Sequence, residues 1–190
     1  VLWTSDDNRI SVFSAGGYPL IEITIDNADS IKEITAADVN TTVTGNELIV
    51  AYTTDGPQYK LRYMNIWHME ELVPVEADIL VDLWGMDVEV DVDVGSLSAD
   101  SGFEVVVSGV RVDQKDDVIV EVYNASGLMP SEWNTSMNID KSQEWIKTIV
   151  IDQDVDGDNE IVVFTKNLVS ILQSPTSSKT WKTVNDAQIY

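Results

Sequence analysis

The chain has no cysteine, a single histidine and 11 basic residues among 190, against 33 acidic ones. Without cysteine there is no disulfide to hold the fold, and no thiolate for zinc ligation or nucleophilic chemistry. Serine catalysis would have to use His68, which sits beside Met69 and lacks any G-x-S-x-G context. The net charge of −22 repels nucleic acid and anionic lipid, both of which need a basic footprint. It attracts cations, and it is compatible with a saline habitat. No apolar run approaches the ~20 residues of a membrane-spanning helix. No glycine-rich phosphate loop and no long amphipathic helix can be read. The opening Val1-Leu-Trp3 shows neither an initiator Met nor a leader, so a mature or excised piece is expected.

What is present is alternation. Short β-branched or aromatic runs recur between turn residues, the pattern of an all-β chain. Strands are expected at Ile10–Phe13, Leu20–Ile25, Ile31–Ala37, Asn46–Tyr52, Leu61–Trp67, Phe103–Val107, Val118–Tyr123, Glu144–Ile151, Ile161–Thr165, Leu168–Leu172 and Thr180–Val184. His68–Leu72 reads as a helical turn or an outer strand, and residues 75–95 are ambiguous. Within them Val88–Val94 alternates strictly, placing Glu89, Asp91 and Asp93 on one face. That face is expected to point outward and blunt edge pairing, or alternatively to form an acidic ladder for a cation or a basic partner. Asn124–Pro130 is expected to be loop, with Trp133 beyond it as the tryptophan most exposed for ligand contact. Asn40, Asn124 and Asn134 head N-x-[ST] sequons at expected loop positions.

The densest chemistry lies in Asp152-Gln-Asp154-Val-Asp156-Gly157-Asp158-Asn-Glu160, followed at once by Ile161-Val-Val-Phe164. Carboxylates occupy alternate positions, and Gly157 allows the sharp turn that would fold them around one point. A hard cation such as Ca²⁺ takes six to eight oxygens at roughly 2.3–2.6 Å, which an acidic loop supplies. An EF-hand starts the same way but needs a bidentate Glu at position twelve, where this chain has Val163. A solvated acidic turn is the plainer alternative, since Asp, Asn and Gly are turn residues in any case.

The loop has echoes. Glu47 precedes Leu-Ile-Val-Ala, Glu104 precedes Val-Val-Val-Ser, and Glu160 precedes Ile-Val-Val-Phe, at spacings of 57 and 56 residues. Ser96, Ser98 and Asp100 stand upstream of Glu104 where Asp152, Asp154 and Asp156 stand upstream of Glu160. Asp38 and Asn40 lie upstream of Glu47, with one extra residue before it. A fixed period of this length marks an internal repeat of the propeller or solenoid kind. It divides the chain into a partial unit at 1–30 and repeats at 31–85, 86–142 and 143–190.

Loops of the form D-x-D-x-D-G-x-x-[DE] leading into a short apolar strand, repeated at this period, resemble the FG-GAP/VCBS repeats of integrin-α-like propellers. The resemblance covers most of residues 31–190. It implies β-propeller-type blades of four antiparallel strands, about three repeats plus a partial N-terminal blade lacking its first strand. It also implies calcium at Asp152, Asp154, Asp156, Asp158 and Glu160, with weaker loops at Ser96, Ser98, Asp100 and Glu104 and at Asp38, Asn40 and Glu47. Extracellular or cell-surface binding, adhesion or assembly is the expected work, with a protein or glycan partner, or further chains that complete the ring. Two alternatives stand beside it: a structural subunit of a filament or envelope layer completed by neighbouring chains, and a polysaccharide lyase or hydrolase on a propeller scaffold.

Overall fold

The structure, a computed structural model, describes residues 2–4, 8–26, 28–37, 46–54, 59–65, 79–81, 90–97, 102–111, 117–124, 129–138, 146–152, 155–165, 168–173 and 182–188. They form an all-β fold of antiparallel sheets, with no helix among the described residues. In chain order the strands are β1 (Leu2–Thr4), β2 (Arg9–Phe13), β3 (Pro19–Thr24), β4 (Ala28–Ala37), β5 (Glu47–Thr54), β6 (Tyr59–Asn65), β7 (Ile79–Val81), β8 (Val90–Gly95), β9 (Glu104–Arg111), β10 (Asp117–Asn124), β11 (Met129–Asn138), β12 (Ile146–Ile151), β13 (Glu160–Thr165), β14 (Leu168–Gln173) and β15 (Lys182–Gln188). Each sheet is a meander of sequential strands. The first holds β1–β3, the second β4–β7, the third β8–β11 and the fourth β12–β15.

Local chemistry explains the elements. At the β2–β3 hairpin the Gly17 amide donates to the Ser14 carbonyl (3.0 Å) and the Ser14 amide to the Tyr18 carbonyl (2.8 Å). Gly17 adopts φ +80° there, a conformation that costs a glycine almost nothing. β5 reads as an unbroken apolar run because it is covered on both sides. Leu48, Val50 and Tyr52 pack with Ile10, Ile23 and Ile25 of the first sheet. Ile49 and Ala51, on the opposite face, are equally buried. The third and fourth sheets share a second core, in which Val106, Val118, Val120 and Val122 meet Ile146, Ile161, Val163 and Leu172. Each such side chain contributes roughly 1.5–3 kcal/mol on burial. The sheets therefore stack face to face in chain order, and the first strands of three of them lie side by side, with β8 touching both β4 and β12.

Three expectations need correction. The stretch expected to be loop at 124–130 is partly strand: β10 runs to Asn124 and β11 begins at Met129. Trp133 and Asn134 lie inside β11, with Asn134 opposite Glu121, so neither sits in a loop. β11 is the outermost strand of its sheet among the described residues, and proline near a strand start, as at Pro130, is confined to such edge strands. Residues 75–95 resolve in their described part into the short β7 and the start of the third sheet at β8. Third, Asp91 does not face solvent: it is 2% exposed. His68, and with it 68–72, lies outside the described residues, as do Glu89 and Asn40.

Candidate cation loops and an inter-sheet carboxylate clasp

In each of the three four-stranded sheets the stretch between the first and second strands ends on a glutamate. Glu47 opens β5, Glu104 opens β9 and Glu160 opens β13. Their register is identical, for each lies opposite the last residue of the preceding strand: Ala37, Gly95 and Ile151. All three are buried. A buried carboxylate is costly unless it is hydrogen-bonded, paired or metal-bound. At Glu104 the partner is visible, since the Leu97 amide donates to its Oε2 at 2.9 Å.

In the third loop the Gly157 amide donates to Asp152 Oδ2 (3.2 Å) and the Asp158 amide to Asp156 Oδ1 (3.0 Å). Gly157 takes φ +101° and Val155 φ +64°. The left-handed region is unfavourable for a β-branched residue, and Val155, 85% exposed, gains no burial there. Asp152 Oδ1 is shut off from solvent without a hydrogen-bond donor. Asn159 Nδ2 donates to the Ser96 carbonyl at 2.5 Å, tying the third loop to the second. The structure thus places Asp152, Asp156, Asp158, Glu160, Ser96, Glu104 and Glu47 in or at the ends of these loops. Asp154, Ser98, Asp100, Asp38 and Asn40 lie outside the described residues. Among the described residues no three acidic side chains converge as a ready metal cluster.

The tightest polar geometry is elsewhere, and sequence reasoning missed it. Asp91 and Asp93 of β8 reach across to the free edge of β12. The Thr148 amide donates to Asp91 Oδ2 at 2.5 Å, and the Val150 amide to Asp93 Oδ2 at 2.7 Å. These two amides are alternate, as required of N–H groups that point away from β13 in an antiparallel ladder. Lys147 Nζ donates to Asp91 Oδ1 at 2.6 Å and lies 3.8 Å from Glu33 Oε1 of β4. Ser108 and Thr148 share a hydroxyl hydrogen bond on the same face. Gly95 completes the contact, because a Cβ there would run into the Val150 side chain.

Burial pushes the Asp91 carboxyl above its ordinary range, although Lys147 and the Thr148 amide pull the other way. Glu33 is raised too, by burial first, with Asp91 adding to it and Lys147 and the Ile34 amide opposing. Burial works to lower Lys147, but the hydrogen bond and charge of Asp91, with Glu33 and Asp93, outweigh it and raise it. Both partners of the ion pair thus move upward, which disfavours the charge on Asp91 and favours it on Lys147. Lys147 is half exposed and draws on several carboxylates, whereas Asp91 is buried and has one cation among the described residues.

Glu33, Asp91 and Lys147 are one repeat position. They pair with Ala51, Ser108 and Phe164, each four residues beyond the loop glutamate. That spacing was the signal available in the sequence. In comparisons with known proteins, the chain matches no family model and no curated sequence.

Proposed function

We propose that the chain is a calcium-stabilised segment of a β-propeller of the FG-GAP/VCBS type, working outside the cell or at its surface in binding or assembly and not in catalysis. One observation carries this reading. Successive four-stranded meanders stack in chain order with their first strands adjacent, and each opens its second strand on a buried glutamate after a short loop. Asp152, Asp156, Asp158 and Glu160, with Asp154 from the sequence, would hold the cation. The donor set fits a hard ion: it is all oxygen, no basic residue lies between 152 and 160, and Asp152 Oδ1 is buried without a donor. Bound Ca²⁺ would supply the positive charge this acidic loop lacks. The partner would be a protein, a glycan or further chains.

A structural subunit of a filament or envelope layer is the second reading. It is favoured by the outer face of the fourth sheet, where Ile149 and Ile151 are 39% and 49% exposed beside Val162.

Thermal unfolding in calcium and in excess chelator tests the cation. At a hundredfold excess over Kd, calcium stabilises by about 2.7 kcal/mol, roughly 5–11 °C for a chain of this size. Asp154→Ala and Asp156→Ala should each abolish the shift. Identical melting in calcium and chelator would reduce the loop to an acidic turn.

A further inference from the structure

Lys147, Asp91 and Glu33 stand together where β12, β8 and β4 meet, and their arrangement is that of reacting groups. Lys147 Nζ lies 2.6 Å from Asp91 Oδ1, which puts it within about 3.5 Å of the carboxyl carbon, the separation of a near-attack pair. Asp91 Oδ2 takes the Thr148 amide at 2.5 Å, a donor placed where negative charge gathers when such a carbon is attacked. Glu33 Oε1, 3.8 Å from the same Nζ, is a third group able to carry a proton. Asp91 is 2% exposed, so bulk water does not compete for its carbon. Asp93 provides the contrast. It takes the Val150 amide in the same way, but the residue before Val150 is Ile149, where the one before Thr148 is Lys147. Of these two carboxylates, Asp91 is the one hydrogen-bonded to an amine among the described residues.

We propose that Lys147 and Asp91 condense, with loss of water, into an amide that covalently joins β12 to β8. The proton first crosses the hydrogen bond from Nζ to Oδ1, leaving a neutral amine beside a neutral acid. The long lysine stem lets Nζ swing from the edge of the carboxyl to its face. Nζ then attacks the carboxyl carbon, and the Thr148 amide holds the charge on Oδ2. Glu33 takes a proton from the nitrogen and passes it to the departing Oδ1 hydroxyl. The bond from carbon to Oδ1 breaks, Oδ1 leaves as water with both protons, and Glu33 ends as it began. Nothing is oxidised or reduced, and no co-reactant is needed. Burial favours the neutral forms of Asp91 and Glu33. Burial works to lower Lys147 as well, but Asp91, Glu33 and Asp93 together raise it, so little neutral amine is present and the reaction is slow. The transfer stays inside the pair, however, and no proton has to be given up to solvent. The freshly folded chain therefore carries the ion pair, and the amide accumulates with age. Condensation replaces a partly buried charge pair by a neutral group, which removes the cost of keeping those charges from water. In a chain without cysteine, such a bond is a sheet-to-sheet crosslink that no reductant opens. The inference goes beyond the calcium reading and does not draw on it.

The test is intact-mass spectrometry of the whole chain during weeks of incubation at neutral pH and physiological temperature. A species lighter by one water should grow until it dominates, and its proteolysis should yield a branched peptide that joins Asp91 to Lys147. Chain kept unfolded in guanidinium chloride should hold its full mass, because the positioning is lost. Asp91→Ala, which removes the electrophile, should hold its full mass too. So should Lys147→Arg, whose guanidinium keeps the ion pair but stays protonated and cannot attack. If Asp91→Ala does not fold, Lys147→Arg decides the matter. Glu33→Gln should slow the loss of water about a hundredfold, the usual worth of a proton carrier, and an equal rate would strike Glu33 from the route. A native chain that keeps its full mass would overturn the proposal. So would a loss of water that persists in Lys147→Arg, or one that maps to a cyclic imide at Asp55-Gly56 or Asp156-Gly157 with no branched peptide.

Discussion

Replacing Asp91 tests the clasp between the third and fourth sheets most directly. In Asp91→Ala the Thr148 amide, on a residue 1% exposed, loses its acceptor, and an unsatisfied buried donor costs about 1–3 kcal/mol. Lys147 loses an ion pair, but its half-exposed head rehydrates and keeps Glu33 nearby, so that part is worth about 0–1 kcal/mol. Against these stands the cost of burying the Asp91 charge, which its raised pKa records and which the substitution returns. The net loss should be about 1–3 kcal/mol in urea unfolding at pH 7. Asp91→Asn keeps an oxygen for the Thr148 amide and should lose less than about 1 kcal/mol.

Acid separates the two forces. A carboxyl raised in the folded state binds its proton more tightly folded than unfolded, so lowering the pH adds stability. The native protein should therefore gain on Asp91→Asn as pH falls through the raised folded value toward the ordinary one near 3.8, and gain nothing more below it. Glu33, which the Asp91 charge helps to raise, is raised less in Asp91→Asn, so it adds to the same gain in the native protein. If the native protein instead loses ground to Asp91→Asn on acidification, the ion pair with Lys147 outweighs burial and the reasoning is wrong.

Other substitutions probe the same construction. Gly95→Ala should cost about 1–3 kcal/mol by overpacking against Val150, and Val150→Ala should relieve part of it in a double-mutant cycle. Val155→Asn should gain about 1 kcal/mol in chelator, because asparagine tolerates φ +64° and no burial is lost; an unchanged melting temperature would remove the strain from the account. Glu104→Ala should lose about 2 kcal/mol through the orphaned Leu97 amide, and Glu104→Gln should recover most of it.

The sequence carried the strands wherever burial imposed a period. β5 and β13 stand out as apolar runs because both faces are covered, and the three glutamates stand out because they recur before such runs. β11 was illegible for the opposite reason. Met129–Asn138 is a polar edge strand with a proline near its start, held by pairing to β10 on one side, and edge pairing leaves little hydrophobic pattern. β7, with three residues, is too short to show a period. Alternation found β8 but misjudged its aspartates, since a solvent-facing carboxylate and one that caps a neighbouring strand look alike in sequence. Only the adjacent sheet distinguishes them, and no local pattern records which sheet is adjacent. At the candidate cation loop, composition gave the residues, and the structure adds the buried Asp152 Oδ1 and the bond from Asn159 to the second loop.

The repeat positions also show that the stack is not uniform. The residue opposite the loop glutamate is Ala37 in the second sheet and Gly95 in the third, and Gly95 is what lets Val150 approach. In the fourth sheet the same position is Ile151, and the position of Asp93 is taken by Ile149. A further sheet packed on the fourth would meet no carboxylate at those two positions and a branched side chain where the third sheet has Gly95. The opposite end differs again, with the exposed Arg9–Glu22 ion pair joining β2 to β3 on the outward side of the first sheet. Both sheets thus carry exposed apolar side chains, Ile149 and Ile151 in β12 and Leu20 in β3, and the first sets an ion pair near them. A surface that covers Ile149 and Ile151 gains most if it brings apolar side chains of its own.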